Sequence, residues 1–451
     1  MKKHHIAYKE RKMSGLVKSY LDRSEKYFSD RVDGEIERNR KGDFQLVFVK
    51  KNGELADGEI NVKAEMKRID FDFGANIFML GEYDTEEENR RYEEKFLSIF
   101  NYAVVPLYWD GTEPNQGDLR YDKDTPRDVF RRPPVEYAMN FCEENGLKMK
   151  GHPLFWHEFS PKWLPENYQD VKKLIVNRFH EISERCADRI AMFDVVNEPS
   201  RIYDVYMRDR YLHRKPIVPE DDYCVWLFRL ARNLFPANKL ILNDATGACF
   251  GDFRGKYSGY YLTIKDLLSR GVEIDEIGFQ CHLGMNKNGE NVYDSERLCN
   301  ILDTYADLGK TINVSEISIP SGEGGGEELQ AEAAVRLYKT VFSHHATTGL
   351  TWWNLPDDGV MVTKRKAGDE NLPSTALIDF DYNEKLAYKE LKKLIREEWT
   401  TKTAAAAKNG IADFRGFYGQ YEITAVIDGK EVRFDADFSK NSQRVKKVYI
   451  D

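Results

Sequence analysis

The sequence lacks the usual marks of a metal, disulfide or membrane protein. Its six cysteines are scattered with no CxxC spacing, so neither a zinc site nor a disulfide framework is indicated, and reduced buried thiols are the default expectation. No stretch approaches the ~20 apolar residues that a transmembrane helix requires. The formal net charge of −9 argues against a polyanionic partner such as nucleic acid. We therefore expect neither a membrane nor a nucleic acid as partner.

The first residues, "MKKHHIAYKERKMSG", have the basic opening of a signal peptide, but no apolar run follows them. As written, the chain is expected to be cytoplasmic, and it would be secreted if a leader has been removed. The aromatic share, by contrast, is high at 13% of 451 residues. Such side chains fill cores, and they also provide stacking surfaces for flat ligands such as sugar rings.

The two ends of the chain share a pattern. Residues 1–40 are predicted to form an N-terminal helical segment, because apolar residues at 16, 17, 20 and 21 share one face among charges. Residues 41–70 and 404–451 each alternate apolar and polar residues around turn signals. Neither segment is large enough for a stable sheet alone, so we expect them to meet in one small β-sandwich-like module. The stretch "TAAAAKNG" (403–410) is interpreted as the linker into it.

Between these ends, residues 71–403 show a repeating rhythm. Short apolar runs alternate with helical patterns, which is typical of a parallel sheet covered by helices. Eight such runs fit an α/β protein of the (β/α)8 TIM-barrel class. A doubly wound open sheet is the alternative, but no GxGxxG loop follows the first run. The eight runs are 71–78, 102–109, 147–157, 190–198, 239–244, 276–283, 311–317 and 349–355.

The residues that end these runs indicate the chemistry, because working side chains of such barrels project from the carboxyl ends of the strands. No strand end brings the cluster of histidines and carboxylates that a catalytic metal needs, so no cofactor is expected. The residues at the predicted rim are Tyr108, Trp109, Trp156, His157, Asn197, Glu198, Asn243, Asp244, Gln280, His282, Glu316, Trp352 and Trp353.

Two glutamates with aromatic platforms suit cleavage of a glycosidic bond. Glu198 ends "DVVNEP" on the fourth run and Glu316 lies in "NVSEIS" on the seventh, so the two would face each other across the barrel mouth. One carboxyl group can protonate the leaving oxygen while the other attacks the sugar centre. A gap of ~5–5.5 Å between them would mean retention and ~6.5–9.5 Å inversion. Each glutamate alone could equally be a solvated strand end, and the rim histidines and tryptophans could be packing residues.

Several motifs in this order resemble glycoside hydrolase family 10. That family consists mostly of retaining endo-β-1,4-xylanases on a (β/α)8 barrel, and the resemblance covers roughly residues 70–395. It implies that Glu198 is the acid/base and Glu316 the nucleophile. It also implies carbohydrate-binding roles for His157, Asn197, Gln280, His282, Trp353 and Trp109. The motifs are "EPNQGDLRYD" (113–122), "GHPLFWHEFSPKWL" (151–164), "FDVVNEP" (193–199), "IGFQCHLG" (277–284), "VSEISI" (314–319), "TWWNLPD" (351–357) and "AYKEL" (387–391).

The chain departs from the family pattern where sugars on the non-reducing side are held. Polar residues typical of the family are replaced there, which removes hydrogen bonds that discriminate between substrates. The resemblance therefore implies a retaining β-glycosidase acting on β-linked xylan or xylo-oligosaccharides. Alternatives are an enzyme for aryl β-xylosides or a decorated β-glycan, a β-glycosidase of unrelated specificity, or a barrel that binds carbohydrate without cleaving it. The departures on the non-reducing side are Val104, Val105 and Tyr108. Further departures are Phe159 for a glutamine, Ala245 for a tyrosine and Met361 for a tryptophan.

Overall fold

The computed structural model describes residues 15–122, 129–202, 217–283, 290–321, 326–357 and 374–450. The strands are β1 (Lys41–Lys50), β2 (Ile60–Ile69), β3 (Asp72–Asn76), β4 (Tyr102–Pro106), β5 (Lys148–His152), β6 (Phe155–Trp156), β7 (Met192–Asn197), β8 (Lys239–Asp244), β9 (Glu276–His282), β10 (Thr311–Ser318), β11 (Thr347–Trp352), β12 (Lys402–Ala407), β13 (Ile411–Phe417), β14 (Gly419–Ile427), β15 (Lys430–Phe438) and β16 (Val445–Ile450).

Helices separate the barrel strands. They are α1 (Glu25–Arg40), α2 (Glu86–Ile99), α3 (Trp109–Thr112), α4 (Val135–Glu144), α5 (Tyr168–Cys186), α6 (Tyr223–Leu234), α7 (Gly259–Ser269), α8 (Ser295–Ala306), α9 (Gly326–Ser343) and α10 (Leu386–Lys393). Residues 15–23 are also helical. In the described ranges, no helix is both long and apolar enough to cross a bilayer.

The central sheet closes into a barrel of parallel strands. The strand order is β5-β4-β3-β11-β10-β9-β8-β7-β6, and a further pairing of β5 with β7 completes the ring. The predicted (β/α)8 barrel is confirmed. The third apolar run was expected to form one strand, but it is interrupted at Pro153, whose preceding peptide bond is cis. The two parts, β5 and β6, both pair with β7. Proline has no N–H to donate to a ladder, which explains why the pairing is interrupted there.

The strands and helices form because the local sequence favours them. Strands β3, β4 and β7 are buried along their whole length and the other barrel strands except β6 along most of it, as the near-continuous apolar runs predict for a sheet covered by helices on its outside. Helix α2 begins with a capping box in which Thr85 and Glu88 satisfy each other's backbone N–H groups. Helix α5 is capped by Asn167, whose side chain accepts hydrogen bonds from the N–H groups of Gln169 and Asp170.

The chain ends combine in a separate β module, as the fold prediction states. One sheet has the order β13-β1-β16 and the other β12-β2-β14-β15, so each sheet contains strands from both ends. Their inner faces share a core that includes Phe44, Phe48, Tyr421 and Phe438, and Phe44 stacks on Phe438 with ring centroids 4.6 Å apart.

The prediction that residues 403–410 form a linker is wrong. Lys402–Ala407 forms strand β12, which pairs antiparallel with β2. Alanines carry no strong β preference, so the run looks like a spacer in sequence. Pairing with β2 supplies the backbone hydrogen bonds that hold it in the sheet.

Candidate active site

Glu198 follows β7 at the carboxyl end of the barrel. Its backbone is in the left-handed region, with φ 52° and ψ 51°, and Pro199 begins a short 3-10 turn directly after it. The Glu198 N–H donates to the carbonyl of Asn243 at 2.8 Å, which ties this residue to the end of β8. A left-handed non-glycine residue is strained, and such strain concentrates at functional sites. The strand end therefore holds one carboxyl group in a fixed position.

Glu316 lies inside β10, and both of its oxygens have hydrogen-bond partners. Asn243 donates from Nδ2 to Oε1 at 3.0 Å, and His282 Nε2 lies 2.9 Å from Oε2. The other ring nitrogen of His282 lies 2.9 Å from Ser318 Oγ. The His282 ring is thus fixed between Glu316 and Ser318, and it orients the carboxylate.

The side-chain amide of Asn243 connects the strand that precedes Glu198 with the strand that carries Glu316. Asn243 donates from Nδ2 to Asn197 Oδ1 at 2.8 Å as well as to Glu316, and Gln280 Nε2 donates to the same Asn197 oxygen at 3.3 Å. Ser315 Oγ donates to Asn243 Oδ1 at 2.6 Å. This network connects Glu316 to the residue immediately before Glu198. Glu198 and Glu316 also act on each other electrostatically, so both belong to one site.

The close approach of Asn243 to β9 requires a glycine. A Cβ at Gly278 would lie 2.4 Å from Asn243 Oδ1, which is shorter than side chains tolerate. Gly278 therefore leaves room for the amide that bridges the two strands.

The electrostatics distinguish the two glutamates. Burial raises the pKa of Glu198 above its ordinary range; the nearby Arg201 guanidinium lowers it, while Glu158 and Glu316 raise it further. Burial likewise raises the pKa of the neighbouring Asp244 to about 7, against the hydrogen bond from Ser200 that lowers it. A general acid must hold a proton near neutral pH, which the raised pKa of Glu198 favours. Glu316 is held in one orientation by Asn243 and His282.

An aromatic cluster lines the barrel mouth beside these carboxyl groups. Trp353 contacts Phe78 edge-to-face at a centroid distance of 5.4 Å, and the backbone N–H of Trp353 donates to the Ile317 carbonyl. Tyr108 packs against Phe78 at 5.6 Å and Phe159 at 4.9 Å, and Phe159 stacks on Trp156 at 4.4 Å. Every ring of this cluster except Trp156 is buried.

The described positions at which the chain departs from the family pattern are buried. Val104 belongs to the same cluster as Tyr108 and Phe159, Val105 belongs to the main barrel core, and Ala245 is buried directly after β8. The Arg132 guanidinium lies 3.8 Å from the centre of the Tyr108 ring. These positions therefore carry buried apolar or aromatic side chains, with one arginine packed on Tyr108. Met361 lies outside the described residues.

Trp109 and His157, which were predicted to bind carbohydrate, have surroundings that differ from those of Trp353. Trp109 packs edge-to-face on Trp163 at 6.0 Å and donates from its indole N–H to Glu113 Oε2 at 3.0 Å. It belongs to the core between barrel and helices and does not join the aromatic cluster around Trp353. His157 is buried at the end of β6, with Nε2 3.6 Å from Glu158 Oε1.

Asn243 and Asp244 lie at the predicted rim because they end the fifth run, but the sequence indicates no role for either. Glu158, Arg201 and Ser318 are not among the predicted rim residues. Glu158 follows a predicted strand end and reads in sequence as an ordinary loop residue, because its burial depends on the tertiary fold.

The sequence model of the family described as "Glycosyl hydrolase family 10" matches residues 83–394. The chain is 24% identical to "Anti-sigma-I factor RsgI6" of Acetivibrio thermocellus, over 93% of this chain and 50% of that protein. It is 26% identical to "Endo-1,4-beta-xylanase B" of Thermotoga neapolitana, over 76% of this chain and 93% of that protein. The chain thus spans half the length of the first relative and nearly all of the second.

The fold has close counterparts among solved structures. Xylanase 10B of Thermotoga petrophila, solved in complex with xylobiose, superposes with a TM-score of 0.54 at 22% identity, covering 73% of this chain and 95% of that one. Native xylanase 10B of Thermotoga maritima superposes with a TM-score of 0.53 at 24% identity, covering 73% and 96%. At these identities the likeness shows the barrel fold.

Proposed function

The chain belongs to glycosyl hydrolase family 10, and we propose that it hydrolyses β-glycosidic bonds with retention of configuration at the anomeric carbon. The observation that carries this proposal is the unequal pair at the barrel mouth. Glu316 accepts hydrogen bonds at both oxygens, whereas burial and neighbouring carboxylates favour a proton on Glu198. Retaining and inverting mechanisms both need one protonated and one ionised carboxyl group, and membership of this family supports retention.

The reaction follows from these roles in two steps. Glu316 attacks the anomeric carbon while Glu198 gives its proton to the departing glycosidic oxygen, so a covalent glycosyl ester forms and an alcohol leaves. Glu198, now ionised, takes a proton from a water molecule that attacks the same carbon and displaces Glu316. Asn243 and His282 hold the nucleophile in place throughout.

The proposed substrates contain β-linked xylose. Endo-1,4-beta-xylanases among the relatives support this class. On the non-reducing side, Tyr108 and Phe159 pack as buried rings with the Arg132 guanidinium over Tyr108, where the family pattern has other polar residues. Because missing hydrogen bonds weaken binding of polar substrates, aryl β-xylosides or a decorated β-glycan should be better substrates than plain linear xylan. A panel of chromogenic glycosides and xylans tests this order, and comparable turnover of linear xylan would contradict it.

Charge-removing variants test the roles of the two glutamates. Glu316→Gln should lower kcat on an aryl xyloside on the order of 10³-fold or more, because no covalent ester can form. Glu198→Gln should cost about 10²-fold or more on substrates with poor leaving groups and less on nitrophenyl xylosides, which need no protonation. Glu184→Gln, on the exposed side of α5, removes the same charge and should leave kcat unchanged. Equal activity of all three variants would exclude this mechanism.

A second candidate is a barrel that binds carbohydrate without cleaving it. A relative named as an anti-sigma-I factor aligns with 93% of this chain, and the aromatic packing at the mouth is compatible with binding alone. Calorimetry with xylo-oligosaccharides separates the two. This candidate requires wild-type binding that persists in Glu316→Gln without turnover in either protein, whereas turnover by the wild type excludes it.

A further inference from the structure

A third carboxylate lies next to the proposed acid/base. Strands β6 and β7 pair in parallel with Trp156 opposite Asn197, so the residues that follow, His157 and Glu198, leave the sheet side by side. Glu158 comes directly after His157, and its carbonyl accepts from Ser160 N–H at 2.9 Å. The register therefore brings Glu158 to the same corner of the barrel mouth as Glu198.

The Glu158 carboxylate is buried, with about 5% of the residue exposed. Its Oε1 lies 3.6 Å from His157 Nε2, which is too long for a normal hydrogen bond. Its Oε2 has no hydrogen-bond partner among the described residues. Burying a carboxylate without full hydrogen bonding is costly, and such groups call for an explanation. Structural packing alone would favour an apolar or amide side chain here.

We propose that Glu158 is a positioning residue for the acid/base, whose buried negative charge holds the proton on Glu198 until the leaving group takes it. This inference rests on the proposed function. The charge acts through space, because two neighbouring carboxyl groups in one low-dielectric site disfavour simultaneous ionisation. The Glu158 charge thereby opposes the effect of Arg201 on the Glu198 pKa. Arg201 Nη1 lies 3.4 Å from Glu198 Oε2 and favours the ionised form of Glu198.

The other charged groups around Glu198 come from β8, β9 and β10 and from His157, which precedes Glu158. Glu316 on β10 opposes its ionisation and His157 after β6 favours it, with smaller effects than Arg201 and Glu158. Asp244 on β8 is buried nearby, and the charges of Glu198 and Asp244 repel each other. His282 on β9 contacts Glu316. Residues 203–216 lie outside the described ranges. After Arg201, Glu158 is the charged side chain that affects the Glu198 pKa most among those described.

The test is a direct titration of Glu198 that needs no substrate. Full-length protein labelled with ¹³C at glutamate side-chain carboxyl carbons is titrated by NMR, and Glu198→Gln identifies the resonance. In Glu158→Gln the pKa of Glu198 should fall by about 0.5 to 1 unit, because a like charge has been removed. Glu158→Asp should preserve it, and the exposed control Glu184→Gln should not move it. An unchanged Glu198 titration in Glu158→Gln would overturn the proposal.

A second variant covers the case in which Glu158→Gln does not fold. Glu158→Met removes the same charge while it keeps a side chain of similar length, so it should also lower the pKa of Glu198. An unchanged Glu198 titration in that variant would likewise overturn the proposal.

The pH dependence of turnover gives a second readout. The basic limb of kcat/KM for a xylo-oligosaccharide reports the acid in the free enzyme, and it should shift to lower pH in Glu158→Gln by the same amount as the NMR titration. A basic limb that stays in place while the wild type is active would contradict the role of Glu158 alone. Absence of wild-type turnover on every glycoside would instead contradict the proposed function, with the NMR titration still deciding about Glu158.

Discussion

At the scale of single residues, the site shows how one residue type can take two roles. Glu198 and Glu316 are both buried and differ in their neighbours: one is strained and near other carboxylates, and the other is held by an amide and an imidazole. Burial and like charges favour a proton on Glu198, and hydrogen bonds at both oxygens orient Glu316. The assignment of acid and nucleophile therefore depends on neighbours rather than on either glutamate.

Asp244 provides a pH-dependent test of these electrostatics. Its pKa of about 7 in the fold lies above the ordinary aspartate value, because it is buried. The folded protein thus keeps a proton that the unfolded chain has released, so this group lowers stability progressively as pH rises from about 4 to about 7. Asp244→Asn keeps an oxygen acceptor for Ser200 and Ala245 and removes the titration.

Thermal unfolding of wild type and Asp244→Asn across pH 4 to 8 checks this expectation. The melting temperature of the variant relative to wild type should rise as pH increases through this range and level off above about 7. A difference that stays constant with pH would show that Asp244 is not the titrating group.

The geometry of the barrel determines which site residues can be predicted from the sequence. Reading the ends of the apolar runs collects Glu198, Glu316, Asn197 and Asn243, because parallel strands of a barrel end on the same side. The same rule cannot separate a rim residue from a packed one, and Trp109 lies in the outer core. Glu158 escapes it because burial and the lack of a partner arise only when loops from several strands pack together.

At the scale of elements, a buried ion pair joins the strands that carry the site. Lys150 on β5 lies 2.9 Å from Asp194 Oδ2 on β7, and His152 Nδ1 lies 2.6 Å from the same oxygen. Lys150 and Asp194 are inaccessible to solvent. Burial raises the pKa of Asp194, but Lys150 and His152 outweigh it and leave that pKa below the ordinary value.

Removing one partner of this ion pair should destabilise the barrel strongly. Asp194→Asn leaves Lys150 charged and uncompensated, so we expect a loss of about 3 to 5 kcal/mol in the free energy of unfolding. Urea denaturation measures it. The double variant Asp194→Asn with Lys150→Met should recover part of that loss, and a single variant as stable as wild type would contradict the account.

The element boundaries show where sequence patterns reach their limit. Long apolar runs predict the barrel strands because burial on both faces requires them. The division of the third run at Pro153 and the strand formed by the alanines at 404–407 depend on pairing partners far away in sequence. Such pairing is a tertiary property, and local propensity does not reveal it.

At the scale of the whole molecule, Arg40 connects the β module to the barrel. It ends α1 directly before β1, and its buried guanidinium donates to the carbonyls of Phe342, His344 and Thr347 at the end of α9 and the start of β11. It also lies over the Phe71 ring at 4.6 Å. One side chain thus satisfies several backbone acceptors where the two parts meet.

Arg40→Met should weaken this junction, because it keeps much of the apolar stem and leaves the carbonyls without a donor. We expect a loss of about 2 to 4 kcal/mol in unfolding stability, with little change in kcat, since the junction is at the opposite end of the barrel from the glutamates. Arg38→Met, an exposed neighbour on the same helix, serves as control. Equal stability of both variants would contradict this role.

Trapping the covalent intermediate tests the role of Glu316 as nucleophile most directly. A 2-deoxy-2-fluoro-β-xyloside with a good leaving group slows both steps and hydrolysis of the ester most, so a glycosyl-enzyme should accumulate. Mass spectrometry of the intact protein and of its peptides then locates the added mass. If Glu316 is the nucleophile, one fluoroxylosyl group should be found on Glu316 and none in Glu316→Gln. An enzyme that turns over aryl xylosides yet carries the label on another residue, or never forms an adduct, would contradict it.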